Sequence, residues 1–464
     1  MPENLTRREF LRAVGLAGAG ATLAAASPGA PPVAAADDKP AAATPRFWWV
    51  KEVDKPTTEI DWKLMQRFNE WETTRGSLRQ YRGAELDDRM LKLQKENLLR
   101  WEQEGRPGYT TRDTALKEAM NTNRPPFKLR GPQQASTPKD RGVPRYEGTP
   151  EDNSRVLTAA LRHMGACKAG FVELDENTVK LIYSQEPAPS KRTILFEDVE
   201  EGFEEKDRLV IPRRARWVVV FTVQMSGETM KRSPTQLGSL TTTLSYTRMW
   251  NTLAMAHEFI RALGWQSYGP TEFNGLGIYP AFAVLAGLGE MSRLNRLITP
   301  EYGPMVRATI FITDLPLAPT KPIDFGVMRF CRDCMICAAT CPSKSLSFDQ
   351  EPTWQVRGPW NNPGHKAYFE NSVTCRNYWN ECGTNCGICF ANCPYAQEDK
   401  ATLHAILKAT TSTTSVFNGI IKRGSDFVYP AEFDGNPIKD PEAWWRNTNL
   451  PEYGIDTMQG GRKL

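Results

Sequence analysis

The sequence predicts a mixed α/β chain, α+β in its layout, that leads into a small cysteine-rich domain. Three stretches predict it. Trp217-Val-Val-Val-Phe-Thr-Val223 is an unbroken apolar, largely β-branched run, the pattern of a central strand buried on both faces. Ser245–Leu263 places Met249, Leu253, Ala256, Phe259 and Ile260 on one helical face and stops at Gly264, a helix-ending residue. Two cysteine runs, Cys331–Pro342 and Cys386–Pro394, follow that α/β part.

In chain order, residues 1–36 read as an export signal. Thr6-Arg7-Arg8-Glu9-Phe10-Leu11 is a twin-arginine pattern, Val14–Ala26 is weakly apolar, and Ala34-Ala35-Ala36 before Asp37 is a small-residue cleavage site. The apolar stretch falls short of the ~20 residues a membrane span needs. The twin-arginine route carries folded proteins, which suits a chain loaded with cofactors before export. It predicts a mature protein on the outer face of the cytoplasmic membrane. No later segment is long and apolar enough to span, so attachment there requires a partner.

Residues 37–150 form an N-terminal segment. Within it, 37–60 is a Pro/Ala/Thr-rich linker, and 61–105 reads as two amphipathic helices carrying Trp62, Met65, Phe68, Trp71, Leu91, Leu98 and Trp101. Residues 106–150, crowded with Pro, Gly, Arg and Lys, read as an extended surface segment. The α/β domain spans 151–324. Its helices are Glu151–Ala169, Ser245–Leu263 and Pro280–Leu288; its strands are Phe171–Leu174, Thr178–Tyr183, Trp217–Val223 and Val306–Ile312. The cysteine domain spans 325–400. Residues 401–464 hold one helix, Ala401–Thr410, and a surface-wrapping tail.

At 464 residues the chain is long enough for two or three domains with a sizeable core. With 40% hydrophobic and 24% charged residues it has a soluble composition, and a net charge of +4 is too small to argue for nucleic acid.

The first cysteine run is Cys331-Arg-Asp-Cys334-Met-Ile-Cys337-Ala-Ala-Thr-Cys341-Pro342, the full bacterial ferredoxin spacing down to the proline. Three thiolates at that spacing wrap three corners of a 4Fe–4S cube, and the fourth reaches a second cube. The rule assigns Cys331, Cys334, Cys337 and Cys393 to cluster 1, and Cys341, Cys386 and Cys389 to cluster 2. Gly383 stands where the pattern expects the last ligand, so either Cys375 or Cys382 fills that place. A zinc site needs neither the extension nor the proline. A disulfide framework has no reason to show them either. Two adjacent clusters make a short electron wire, so a consumer of electrons is expected elsewhere in the chain.

Other chemistry is sparse. No phosphate-binding GxxxxGK[ST] and no G-x-S-x-G occurs, and the four histidines (His163, His257, His365, His404) form no metal-ligand pair. There is no Asp-x-His-x-x-Gly, so any cobalamin here lacks a histidine lower ligand of that kind.

The twin-arginine signal, α/β part and paired ferredoxin runs together resemble the respiratory corrinoid-dependent reductive dehalogenases. So do Ala286-Gly-Leu-Gly-Glu290, similar to a corrinoid-side turn, and Ile298–Arg307 with Thr313-Asp-Leu-Pro316 ahead of the clusters. Cys375–Cys386 is similar to that family's truncated second motif, which implies Cys375 as the missing ligand and Cys382 as the spare. The resemblance implies a nitroreductase-like domain that binds a base-off cobamide, followed by the two-cluster ferredoxin-like domain. It assigns no individual corrinoid contact. It implies Tyr246 as proton donor, with Arg307 and Asn274 assisting. It also implies a small organohalide substrate such as a chlorinated hydrocarbon, a small membrane-anchor protein and a respiratory electron donor. Electrons would pass through both clusters to the cobalt, whose Co(I) form removes halide. Two other readings fit part of the pattern: an epoxyqueuosine-reductase-like corrinoid enzyme, and an Fe–S electron-transfer subunit without substrate chemistry.

Overall fold

The computed structural model describes residues 46–121, 128–396 and 433–455. Its centre is a four-stranded antiparallel sheet in the order β2-β6-β10-β7: β2 (Lys168–Glu173), β6 (Trp217–Gln224), β10 (Val306–Thr313) and β7 (Ser267–Tyr268). The apolar run is the second strand of this sheet, inside it as expected. Successive side chains of β6 point to opposite faces. Val218 and Val220 join one core with Leu181, Ile182, Phe282 and Ile310. Val219, Phe221 and Val223 join another with Leu157, Leu161, Met249, Leu253 and Ala256. Both faces are covered, which is why the run has no polar alternation even though the sheet is antiparallel. Each fully buried Val or Phe contributes about 1.5–3 kcal/mol.

One cover is made by α4 (Pro150–His163) and α6 (Gln236–Leu263), the other by α7 (Tyr279–Leu285) and a small sheet. That small sheet pairs β3 (Thr193–Glu197) parallel with β5 (Arg208–Pro212), and β5 antiparallel with β4 (Phe203–Glu204). Helix α4 begins at an N-cap Thr149 and a first-turn proline. It ends earlier than the sequence reading has it, because Lys168 and Ala169 are claimed by β2. Thr178–Tyr183 is not a strand. Thr178 Oγ1 and Asp175 bond each other locally and start a single 3-10 turn, Thr178–Leu181.

Helix α6 is longer than Ser245–Leu263. It starts at N-cap Thr235, whose Oγ1 accepts from Gly238 N at 3.1 Å, and closes at left-handed Gly264. Tyr246 therefore lies inside this helix and does not open it. Two N-terminal helices exist, α1 (Thr74–Arg82) and α2 (Ala84–Gln103), but Trp62, Met65 and Phe68 precede them. The segment 106–150 is not wholly extended: it contains α3 (Thr111–Asn121), packed on α6. Nor is the end of the 37–60 stretch a free linker. β1 (Lys51–Glu52) pairs with β11 (Ile323–Asp324), and Trp49 is buried against Phe325. The helix expected at Ala401–Thr410 lies outside the described residues.

Cys331, Cys334, Cys337, Cys341, Cys389 and Cys393 sit in a third apolar core with Met225, Met230, Phe325, Phe330, Ile336 and Tyr395. It is built on short helices: α8 (Val327–Cys334), α9 (Ile336–Ala339), α10 (Ser372–Glu381) and α11 (Ile388–Ala391). β8 (Glu290–Met291) and β9 (Leu297–Ile298) bridge it to the sheet, and a C-terminal helix α12 (Pro441–Arg446) lies beyond it. The Ala286–Glu290 turn serves this junction. Buried Glu290 accepts from Phe325 N at 2.7 Å and Val327 N at 3.3 Å, at the start of α8. Among the described residues no helix is long and apolar enough to cross a membrane.

Candidate active site and cluster sites

The cysteine sites follow from two similar turns. In Cys334-Met335-Ile336-Cys337 the chain reverses at Met335, φ 51°, and enters α9; in Cys386-Gly387-Ile388-Cys389 it does so at Gly387, φ 80°, and enters α11. Helices α9 and α11 pack on each other, so each run ends beside the other. Cys331, Cys334 and Cys337 thereby line one cavity with Cys393 from the second run. That cavity holds about 340 Å³ of empty space and is walled by Leu294, Ile298, Phe330 and Tyr395. This is the first predicted ligand set.

Arg293 closes that cavity. It is 1% exposed, and it donates to Cys331 O at 2.7 and 2.9 Å, Ser347 O at 2.8 Å and Asp349 O at 2.7 Å. Its backbone N–H points at Cys331 Sγ, 3.5 Å away.

The second set is also gathered. Cys341 and Cys389 neighbour Cys375, and Cys375, Cys382 and Cys389 neighbour Cys386. The Cys382 Sγ also donates to Thr384 O at 3.1 Å. Cys167, outside both runs, lies against Thr222 Oγ1 at 3.2 Å.

All ten cysteines are free of disulfides. Burial pushes the cluster thiols up, Cys331 to about 11 and Cys389 to about 12, so ionising them requires a strong cationic partner. Among the described residues no three His, Cys, Asp or Glu side chains close on a point, as a single ion requires. Four thiols lining an apolar cavity are a donor set suited to an iron–sulfur cluster.

The other three predicted residues come together from a helix, a loop and a strand. Tyr246 lies on the face of α6 that carries Met249, Trp250 and Leu253, half-buried at the edge of their core. Its hydroxyl donates to Asn274 Oδ1 at 3.0 Å. Asn274 sits at φ 60°, a left-handed conformation that asparagine tolerates better than most residues. Arg307, on β10 opposite Val223, places its guanidinium 4.5 Å above the Tyr246 ring. It therefore lies over the ring face, not merely beside the hydroxyl. Its Nε is buried with no hydrogen-bond partner, and Nη2 reaches only Met225 Sδ at 3.9 Å. Phe273 packs edge-on against both Tyr246 and Trp250, at 5.1 and 5.7 Å.

The neighbourhood fits a corrinoid. One turn before Tyr246, Thr242, Thr243 and Leu244 are half-exposed, offering hydroxyls and an apolar side chain to a ring with amide-bearing edges. Arg307 Nε is a buried donor in want of an acceptor. The described histidines are placed elsewhere: His163 is exposed, His257 is held by Ser267 Oγ at 2.7 Å, and His365 packs on Phe369.

Sequence reasoning missed Arg293 and a pair of acids, buried Glu70 and half-buried Glu272, beside the Asn274 loop. Their only signal was a charged residue in an otherwise aromatic stretch, such as Glu70 before Trp71.

Comparison with known proteins gives the class. The family model "Reductive dehalogenase subunit" matches residues 45–130 and 127–317. The chain belongs to the reductive dehalogenase family, and is thus an oxidoreductase acting on carbon–halogen bonds. It is 29% identical to the chloroethene reductive dehalogenase of Dehalococcoides mccartyi (strain VS), with 98% of each chain covered. It is 36% identical to the tetrachloroethene reductive dehalogenase of Sulfurospirillum multivorans over 53% of this chain and 51% of that one. Its fold matches the catabolic reductive dehalogenase NpRdhA with a TM-score of 0.59 at 20% identity, covering 85% of this chain and 50% of that chain. A further match, with a TM-score of 0.58 at 20% identity over 84% of this chain and 50% of the other, is a reductive dehalogenase structure described as suggesting a mechanism for B12-dependent dehalogenation.

Proposed function

We propose that this protein removes halide from a small organohalide, using two 4Fe–4S clusters and a base-off corrinoid, with Tyr246 as the proton donor. Cys331, Cys334, Cys337 and Cys393 hold cluster 1; Cys341, Cys375, Cys386 and Cys389 hold cluster 2. Residues around Tyr246 on α6, with Arg307, would hold the corrinoid. The observation that carries the reading is the meeting of Tyr246, Asn274 and Arg307, from three separate elements, in a half-buried aromatic setting.

When bound, the clusters and corrinoid supply the electrons that break the carbon–halogen bond. The chain's residues handle the proton and the surroundings. The Tyr246 hydroxyl gives its proton to the carbon that has lost halide. Arg307 over the ring favours the phenolate that remains, through a cation–π contact that strengthens as the ring gains charge. Asn274 fixes the hydroxyl's direction beforehand. Phe273 and Trp250 wall the site with apolar surface, which suits a small chlorinated hydrocarbon.

The relatives named for chloroethene and tetrachloroethene favour chlorinated ethenes as first substrates to test. The protein works on the outer face of the cytoplasmic membrane after twin-arginine export, docked to a small membrane-anchor protein and fed by a respiratory electron donor. The N-terminal Arg7-Arg8 motif supports the export step.

Tyr246→Phe tests the central claim. Iron and corrinoid content should match the parent, while turnover of a chlorinated ethene with a reduced viologen should fall by about 100-fold or more, the scale of general acid catalysis. Full activity in that variant would remove the proton-donor role.

A further inference from the structure

Tyr246 loses a proton for each carbon it protonates, so each cycle must replace it. Behind the Asn274 loop lies an acidic cluster with no part in the steps above. Glu70 and Glu272 flank Gly275, where a Cβ would stand 3.6 Å from Glu70 Oε2 and 3.3 Å from Glu272 Cγ. Arg75 serves both: Nη2 is 2.8 Å from Glu272 Oε2 and Nη1 is 3.6 Å from Glu70 Oε1. The same guanidinium lies 5.9 Å over Phe273, the ring that packs on Tyr246. A third carboxylate, Glu186, is taken by Arg192 at 2.6 Å and by the hydroxyls of Thr271 and Ser190. Arg75 alone is left for two acids.

Glu70 Oε2 and Glu272 Oε1 are buried without a hydrogen-bond partner. A carboxylate oxygen in that position is costly when ionised and much cheaper when the group holds a proton. Burial pushes Glu70 up to about 9 and Glu272 to about 7, against the pull of Arg75. The side chain of Glu70 is 2% exposed and that of Glu272 20%, so Glu272 faces water and Glu70 faces inward. Further in, the buried Tyr279 hydroxyl makes no well-formed hydrogen bond, with the equally unbonded Thr309 hydroxyl beside it. Tyr279 neighbours Glu70, Tyr183 and Tyr246, and Gly275, against Glu70 Oε2, adjoins Asn274, the partner of the Tyr246 hydroxyl.

We propose that Glu70 and Glu272 form a proton store that reloads Tyr246 between turnovers, resting on the reading of Tyr246 as proton donor. The Glu70 O–H bond breaks and the Tyr246 phenol O–H re-forms, with the proton relayed past Tyr279. Water then returns a proton to Glu70 through Glu272. No electrons move in this step. Both acids act through Tyr246 and touch no substrate.

The test compares first-turnover and steady-state rates of the loaded enzyme in the parent, Glu70→Gln, Glu70→Asp and Tyr246→Phe. Glu70→Gln should keep the first turnover, because Tyr246 starts protonated, and lose steady-state rate by about tenfold or more. Glu70→Asp should recover part of that loss. Independently of turnover, the infrared absorption of protonated carboxylic acids, shifted in D2O, should lose one component in Glu70→Gln relative to the parent, the components of Glu272 and Glu290 remaining. Equal steady-state rates in parent and Glu70→Gln would overturn the store, as would a first-turnover loss as large as the steady-state loss. Tyr246→Phe with an intact first turnover would instead sink the proton-donor reading, so the two failures are separable.

Discussion

Arg293 stabilises the first cluster site more than its place in a loop indicates. It is a buried cation whose partners are mostly carbonyls of the cysteine domain, and it lies 4.1 Å over Tyr368. Replacing it with Met keeps the bulk and strands those carbonyls, at about 1–3 kcal/mol each. Arg293→Met should lose cluster 1, with iron falling to about half and a clear drop in Tm; iron at the parent level would show that the guanidinium is dispensable. Lysine is no substitute, since a point charge cannot reach the spread of acceptors that a planar fork does. The second cluster has its own residue-scale test. Cys375→Ala should also leave about half the iron, whereas Cys382→Ser should leave all of it, because Cys382 Sγ is spent on Thr384 O. The opposite result would exchange their roles. The cysteines were legible in the sequence because cluster ligation is mostly local in spacing, apart from the one gap at Gly383. Tyr246, Asn274 and Arg307 carry no such spacing: they lie on a helix, a loop and a strand, and only family resemblance singled them out. Glu70 and Arg293 were invisible, since nothing in a charged residue's own sequence shows that it is buried.

At the scale of elements, the two cysteine turns are near copies with different solutions to one backbone demand. Both need a left-handed residue straight after the first cysteine of a C-x-x-C pair (Cys334–Cys337 and Cys386–Cys389), and one run uses Met335 where the other uses Gly387. A left-handed non-glycine residue costs about 1 kcal/mol. Met335→Gly relieves that strain and gives up a half-buried side chain, so its stability should stay within about 1 kcal/mol of the parent. Gly387→Ala adds the strain and also drives a Cβ to 2.6 Å from Met230 Sδ and Ser233 Oγ. Its loss should exceed about 2 kcal/mol. Thermal unfolding of the cluster-loaded variants measures both, and equal losses would show that the turns are not set by this conformation. The same local logic explains which elements the sequence revealed. β6 and the end of α6 were readable because burial on both faces and a terminal glycine leave plain marks. Thr178–Tyr183 was misread because Asp175 and Thr178 bond each other, a choice that periodicity does not register. Helix α3 was hidden by the prolines and glycines around it.

At the scale of the whole molecule, both ends of the described chain close on the cluster core. Phe47 stacks on Trp49, which meets Phe325, and residues 433–455 return to α5 (Gly227–Met230), just ahead of α6. The second closure includes a carboxylate held by two cations, alongside the Arg112–Glu442 ion pair and the Trp445–Asp113 hydrogen bond. Lys439 Nζ lies 2.8 Å from both oxygens of Glu228, and Arg232 Nη1 lies 3.0 Å from one of them. Burial alone would raise this acid, yet the two cations hold it down at about 2. Its folded pKa is below its unfolded value, so the stabilisation is complete above the ordinary carboxylate range and disappears as pH falls through about 2. Amide hydrogen exchange in 433–455, referenced to β6 as a monitor of global unfolding, should therefore speed up selectively as pH falls from about 4.5 towards 2, once intrinsic rates are corrected. In Glu228→Gln that selective loosening should already be present at neutral pH and vary little below it. Lys439 is 41% exposed, so high salt should weaken the parent's protection as well. A Glu228→Gln protein whose exchange follows the parent's pH curve would show that the contacts of Trp445 with Asp113, and not this ion pair, hold the segment in place.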